Sequence, residues 1–342
     1  MIQLKRAWKA TAVLGAVTAL SAAGVAACGG GNDNSSGGGG SSGGNEQITV
    51  GLITKTDTNP FFVKMKEGAQ KAAAKDNVKL MTAAGKYDGD NASQVTAINN
   101  MVAAGAKGIL LVPSNTTAIV PVVKKARDQG VKVITLDTPL QPQNAADALF
   151  ATNNFTAGKL IGEYAKKAME GKKPVIAMMD LNPGITVGDL RHNGFLAGFG
   201  IPKKSPDIVC TQYTQGDLAK GQTAMENCLQ KNPNINLVYS INEPSGLGAW
   251  NALHKAGKTA LLVSVDGGCT GVKAVQDGKI AATSQQYPLK MASEGVQAIA
   301  NVVRNKGQVS GYHDTGVNLI TAKAMPGVPS KDVKFGLANC WG

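Results

Sequence analysis

Short apolar runs in this chain of 342 residues repeatedly end on planar polar side chains. Lys55, Asn59, Phe61 and Phe62 follow the run Ile48 to Ile53, and Asp137 follows Val133 to Leu136. Ile176 to Met179 leads into Asp180, Asn182 and, in the next helical pattern, Arg191. Asn242 and Glu243 come after Val238 to Ile241, Asp266 after Leu262 to Val265, and Gln285 and Gln286 after Ala282 to Ser284. Carboxylates, amides and a guanidinium can each make two hydrogen bonds at once. Neighbouring hydroxyls of a sugar want that geometry. Phe61 and Phe62, at a helix start, would offer a flat platform for the apolar face of a sugar ring, with Asn59 as a polar anchor. Lys55 and Arg191 oppose Asp137 and Asp266, so the ligand needs no net charge.

Taken singly, an Asp or Asn after a strand reads as a helix cap, and Asp266-Gly267-Gly268 as a tight turn. Six strand ends of the same chemical bias are harder to assign to capping alone. Asp88-Gly89-Asp90-Asn91 begins like a calcium loop, but Ala92 replaces the third ligand and no Glu closes it. It reads as a cap for a helix over 91–104. The histidines, His192, His254 and His313, lie far apart and no Cys-x-x-Cys is present, so neither a metal nor another cofactor is expected. Gly39 to Gly43 matches a nucleophile elbow only in letters, because it lies in a Gly/Ser tether. No strand end offers a nucleophile with a base and an orienting group, so an enzyme is not expected.

The elements that must hold these residues alternate. Strand-like runs fall at 49–53, 78–82, 108–112, 131–136, 148–151, 175–179, 208–212, 237–241, 260–265 and 280–284. Helical patterns fit 63–75, 91–104, 117–129, 155–170, 186–199, 217–231, 246–256, 270–277 and 289–305. Alternation of this kind implies βαβ units and parallel sheets, and the length implies two lobes. The expected fold class is α/β, with two Rossmann-like lobes and ligands at the strand ends between them.

The N-terminus carries Lys5, Arg6 and Lys9, then small apolar residues from Ala10 to Ala27, the pattern of a signal peptide over 1–27. Val25-Ala26-Ala27-Cys28 resembles a lipobox, so Cys28 is the expected lipidation site, with a flexible Gly/Ser tether over 28–45. The product would be exported and anchored to the outer face of the cytoplasmic membrane. Removing 1–27 takes away three basic residues and no acidic one, lowering the net charge from +12 to +9. The lysines are scattered in pairs without interleaved aromatics, which argues against nucleic acid. Cys210, Cys228, Cys269 and Cys340 are disulfide candidates in an exported chain, with three possible connectivities. Cys210 and Cys228 fall on adjacent elements, which favours joining them and leaving Cys269 for the C-terminal end.

Asn59-Pro60-Phe61-Phe62, Val112-Pro113-Ser114, Asp137, Arg191 before Gly194-Phe195, Asn242, Val265-Asp266-Gly267 and Gln286-Tyr287-Pro288 together resemble the periplasmic sugar-binding proteins of ABC transporters, in the ribose-binding-like group. Thr54-Lys55-Thr56 and Asp180-Leu181-Asn182-Pro183 look most like its fructose-binding members. The resemblance implies a three-crossing hinge near 152–154, 284–286 and 314–317. One lobe would comprise 46–152 with 286–316, the other 153–285 with 317–342. It implies a pocket lined by Asn59, Phe61, Phe62 and Asp137 from one lobe and Arg191, Asn242 and Asp266 from the other, with Gln286 at the hinge; Lys55 and Asn182 are further candidates. Thr138, Gly216, Val265 and Val112 depart from the ribose-binding pattern and argue against ribose itself. The expected protein is a monomer that delivers fructose or a similar monosaccharide to ABC permease transmembrane subunits. The alternatives are a sugar receptor for chemotaxis or a sensor kinase, or a binder of ribose, xylose or galactose.

Overall fold

The computed structural model describes residues 46–342. The signal-like segment, Cys28 and the tether lie outside the described residues. The chain begins with β1 (Ile48–Thr54), α1 (Pro60–Lys75), β2 (Val78–Ala84), α2 (Asn91–Ala103), β3 (Gly108–Leu111), α3 (Val120–Asp128), β4 (Lys132–Leu136) and β5 (Ala148–Ala151). It continues through α4 (Asn154–Ala168), β6 (Ile176–Asp180), α5 (Thr186–Phe199), β7 (Ile208–Tyr213), α6 (Leu218–Lys231), β8 (Leu237–Ser240), α7 (Glu243–Lys255), β9 (Leu261–Asp266), α8 (Cys269–Gln276) and β10 (Ala282–Gln285). The last elements are α9 (Pro288–Val303), β11 (Gly311–Asp314), β12 (Asn318–Thr321) and α10 (Val333–Asn339).

Two six-stranded sheets result, ordered β11-β5-β4-β3-β1-β2 and β12-β10-β9-β8-β6-β7. All pairings are parallel except that of β12 with β10. Central strands such as Gly108–Leu111 and Leu237–Ser240 are buried along their whole length. They are therefore mostly apolar without alternation, as expected of a parallel sheet covered on both faces. In each sheet the order reverses beside the first strand, β1 or β6, which opens a crevice at the strand ends.

Sequence periodicity locates ten strands and nine helices of this architecture but not β11, β12 or α10. The first is Gly-Tyr-His-Asp, mostly exposed at a sheet edge, where no apolar pattern is needed. The second is four residues long, too short for a period to show. The third spans two turns and buries only Gly336, so it has no apolar face to recognise.

Local chemistry sets the helix starts that matter. Asn59 caps α1 by accepting from the Phe61 amide, and Pro60 stands in the first turn. Asn242 caps α7 through the Ser245 amide, and Asp90 caps α2 through Ser93. Helices α4 and α5 pack along a seam of small residues: a Cβ at Gly158 would strike the Arg191 carbonyl, and one at Gly194 the Phe155 carbonyl. That close approach seats Arg191 under the cleft. Disulfides join Cys210 of β7 to Cys228 of α6, and Cys269 of α8 to Cys340 after α10. Among the described residues no helix is long and apolar enough to cross a membrane.

Candidate functional site

Nine of the ten residues singled out from the sequence line one cleft between the sheets: Lys55, Asn59, Phe61, Phe62, Asp137, Arg191, Asn242, Asp266 and Gln286. The cleft is narrow where these side chains meet and is partly open to solvent. Asn182 stands outside this lining. Its loop turns toward the rim, where its amide nitrogen lies 3.8 Å from where a Cβ on Gly89 would be.

Phe61 and Phe62 do not form the flat platform expected of them. Their ring planes meet at 81° with centroids 5.4 Å apart. Adjacent helical residues point about 100° apart, so two such rings cannot share one face. Both are also nearly buried, at 4% and 6% exposure, in the hydrophobic cluster under the first sheet. They reach the cleft from within that cluster.

Arg191 is the hub. Its Nε donates to Asn154 Oδ1 at 2.8 Å and its Nη1 to the Ile241 carbonyl at 3.1 Å. Its guanidinium also meets Asp137 Oδ1 at 3.4 Å and Asp266 Oδ1 at 3.7 Å. Both aspartates sit in backbone conformations that side chains avoid, with φ of +61° at Asp137 and +144° at Asp266. Strain of roughly 1–3 kcal/mol each is typical of such positions and gathers at functional sites. Surrounding bonds enforce it. The Asp137 amide donates to the Phe150 carbonyl at 2.9 Å, and Thr138 Oγ1 donates to Asp137 Oδ2 at 2.7 Å. Gln286 Nε2 donates to Asp266 Oδ1 at 2.8 Å.

Asn242 caps a helix and lines the cleft with one side chain, donating from Nδ2 to the Gly216 carbonyl at 3.0 Å. Gly216 has φ +65°, and a Cβ there would lie 2.9 Å from the Asn242 amide nitrogen. The positive φ favours glycine there, so Gly216 is more than a lost aromatic.

Two further residues take part without being among those ten. Asp88 lines the cleft and meets Lys55 Nζ at 3.6 Å; only its neighbour Asp90 is the cap. The unexplained second carboxylate in Asp88-Gly89-Asp90 is the signal that could have found it. Glu243 lies beneath Asp266 and accepts from the Gly267 amide at 2.8 Å, the Gly268 amide at 3.0 Å and Thr283 Oγ1 at 2.7 Å. It fixes the turn that presents Asp266. Asp180 is engaged by His192 Nδ1 at 3.0 Å.

Burial raises the pKa of Asp88, with Lys55 partly offsetting it. It pushes Asp266 up to about 7 against the pull of Arg191, and Glu243 up to about 8 with Asp266 adding to the effect. Lys55 thus meets Asp88, and Arg191 meets Asp137 and Asp266, with burial holding Asp88 and Asp266 above the ordinary carboxylate range. The set is suited to a neutral ligand rich in hydroxyls.

A protein-family model described as "Periplasmic binding protein domain" matches residues 50–307. The chain is 34% identical over 262 residues to the ribose import binding protein of Escherichia coli strain K12, covering 75% of this chain and 86% of that one. It also resembles a solute-binding protein from Actinobacillus succinogenes 130z with bound D-allose, at TM-score 0.72 and 25% identity, covering 80% and 97% of the two chains. For a solute-binding protein from Agrobacterium vitis with bound D-fucose the values are 0.73 and 27%, covering 80% and 95%.

Proposed function

This chain belongs to the periplasmic binding protein domain family, and on that premise we propose that it captures a monosaccharide between its lobes for the transmembrane subunits of an ABC permease. Two buried acceptors carry this reading. Asp88 Oδ1 and Gln286 Oε1 belong to cleft-lining residues and have no donor within the protein. Leaving such an acceptor unsatisfied costs about 1–3 kcal/mol, which a ligand hydroxyl relieves. Asp88 stands after β2 and Gln286 after β10, in a cleft that also presents Asp137, Arg191, Asn242 and Asp266, so one small polyol satisfies several groups at once. Sugar bridging the faces favours the closed form.

We take the lobes as 46–152 with 286–316 and 153–285 with 317–342. Fructose or a similar monosaccharide is the first candidate, because Thr138 rather than Arg follows Asp137 and Gly216 admits no second-lobe ring. Thermal-shift and calorimetric titration with D-fructose, D-ribose, D-allose, D-xylose and D-galactose tests the reading, since a ligand specific to the folded state raises its stability. One of them should bind and stabilise; no response to any would overturn the sugar reading. The monomeric protein is held to the membrane through lipidated Cys28. Cys28→Ala should move it to the soluble fraction, and persistent membrane fractionation would reject the anchor.

A further inference from the structure

We propose that Trp341, fastened by the Cys269–Cys340 disulfide, is a positioning residue that sets the sugar site from its flank; this rests on the sugar-binding reading above. Trp341 is outside the polar lining but borders the wider cavity beside it, which Asn59, Phe62, Asp88 and Asp266 also line, and it touches three segments that carry lining residues. Its ring meets Phe61 edge to face, with centroids 5.4 Å apart at 73°. Its Nε1 donates to the Gln286 carbonyl at 2.8 Å. Its ring carbons also lie 3.3 Å from where a Cβ on Gly268 would be, two residues past Asp266.

The main chain of this residue belongs with the second sheet. Its carbonyl accepts from the Cys269 amide at 2.9 Å, and it forms a parallel bridge with Gly268. The disulfide neighbour, Cys340, is tied to the start of α8. Gln285 Nε2 secures α10 through the Gly336 carbonyl at 3.0 Å. The indole, by contrast, is 7% exposed and part of the hydrophobic cluster under the first sheet. One aromatic side chain thus reaches from the second lobe's covalent framework into the first lobe's core, behind Phe61. With the indole gone, Phe61 loses an edge-to-face partner and the Gln286 backbone loses its donor. Both changes loosen groups that line the cleft.

The test is calorimetry with whichever of D-fructose, D-ribose, D-allose, D-xylose and D-galactose binds wild type most tightly. Trp341→Ala should weaken binding about tenfold, and Trp341→Phe should recover most of that while staying about threefold weaker. Cys269→Ser/Cys340→Ser should weaken binding in the same direction. In a Phe61→Ala background, Trp341→Ala should add less than about threefold, because the two act as one unit. A general loss of structure would instead multiply with the Phe61 change. Affinity of Trp341→Ala within about twofold of wild type, or multiplied losses in the double variant, overturns the proposal alone. Should Trp341→Ala not fold, unchanged affinity in Trp341→Phe overturns it. Wild type binding none of these sugars overturns the sugar reading and this proposal with it.

Discussion

The ends of β8 and β9 hold Asn242 and Asp266 in hydrogen bonds already made, whereas Phe61, Phe62, Lys55 and Asp88, in or beside the loops after β1 and β2, are held by packing and one long ion pair. On the second side, Asn242 is tied to Gly216, Asp266 to Gln286, and Glu243 to the turn beyond. Both disulfides also lie there. On the first side, Phe61 and Phe62 rest in the core, Lys55 stands 3.6 Å from Asp88, and one Asp88 oxygen is free. The second face of the cleft is thus tied within the protein by more hydrogen bonds than the loops after β1 and β2. Variants in the second face should therefore disturb stability and affinity together, and variants in the first should act mainly on affinity.

Arg191→Ala tests this most severely. It leaves Asp137 and Asp266 buried without their cation, and breaking such a pair costs about 3–5 kcal/mol. Sugar binding should fall below detection and the unfolding midpoint should drop by several degrees; Arg191→Lys should not rescue either, since lysine lacks the planar fork. An unchanged midpoint would mean the network is not tied in advance. Asp266→Ala should remove about 3 kcal/mol of binding, roughly a hundredfold, with a smaller fall in the unfolding midpoint than Arg191→Ala, because Glu243 loses a repelling neighbour. Retained affinity in calorimetry would take Asp266 out of the site. Asp88→Asn, on the first face, should weaken binding by about 2 kcal/mol, roughly thirtyfold, with little change in the midpoint. A large fall in stability there would erase the contrast between the faces.

Sequence carried the sheets well because strands buried on both sides must be apolar along their length, and β3 and β8 announce themselves that way. It carried the polar half of the site for a related reason: a side chain just past a parallel strand has nowhere to go but the crevice or a cap. Asn59 and Asn242 serve both purposes, so the choice between cap and pocket is not exclusive. What spacing could not convey was orientation. The rings of Phe61 and Phe62 diverge because they sit on a helix, Asn182 turns to the rim with its loop, and Glu243 acts through two backbone amides that any residue supplies. Asp88 was hidden beside a genuine cap, Asp90.

The mildest expected effect is on pH dependence, and it has opposite signs for stability and for binding. Burial lifts Asp266 to about 7 and Glu243 to about 8, whereas carboxyls in the unfolded chain titrate near 4. Between those values the folded chain binds protons that the unfolded one does not. This pair's contribution is therefore fully present below the unfolded pKa and is lost as pH rises through about 7 to 8. Without sugar, the pair should make the protein more stable at pH 6 than at pH 8, by calorimetric unfolding. Sugar hydroxyls donating to Asp266 need the carboxylate, so affinity should instead rise over the same interval, by up to about tenfold. Asp266→Asn should flatten that rise. A flat profile in wild type would mean that Asp266 meets the ligand already ionised, with Arg191 outweighing burial, and the second face would then be held by charge rather than by hydrogen bonds.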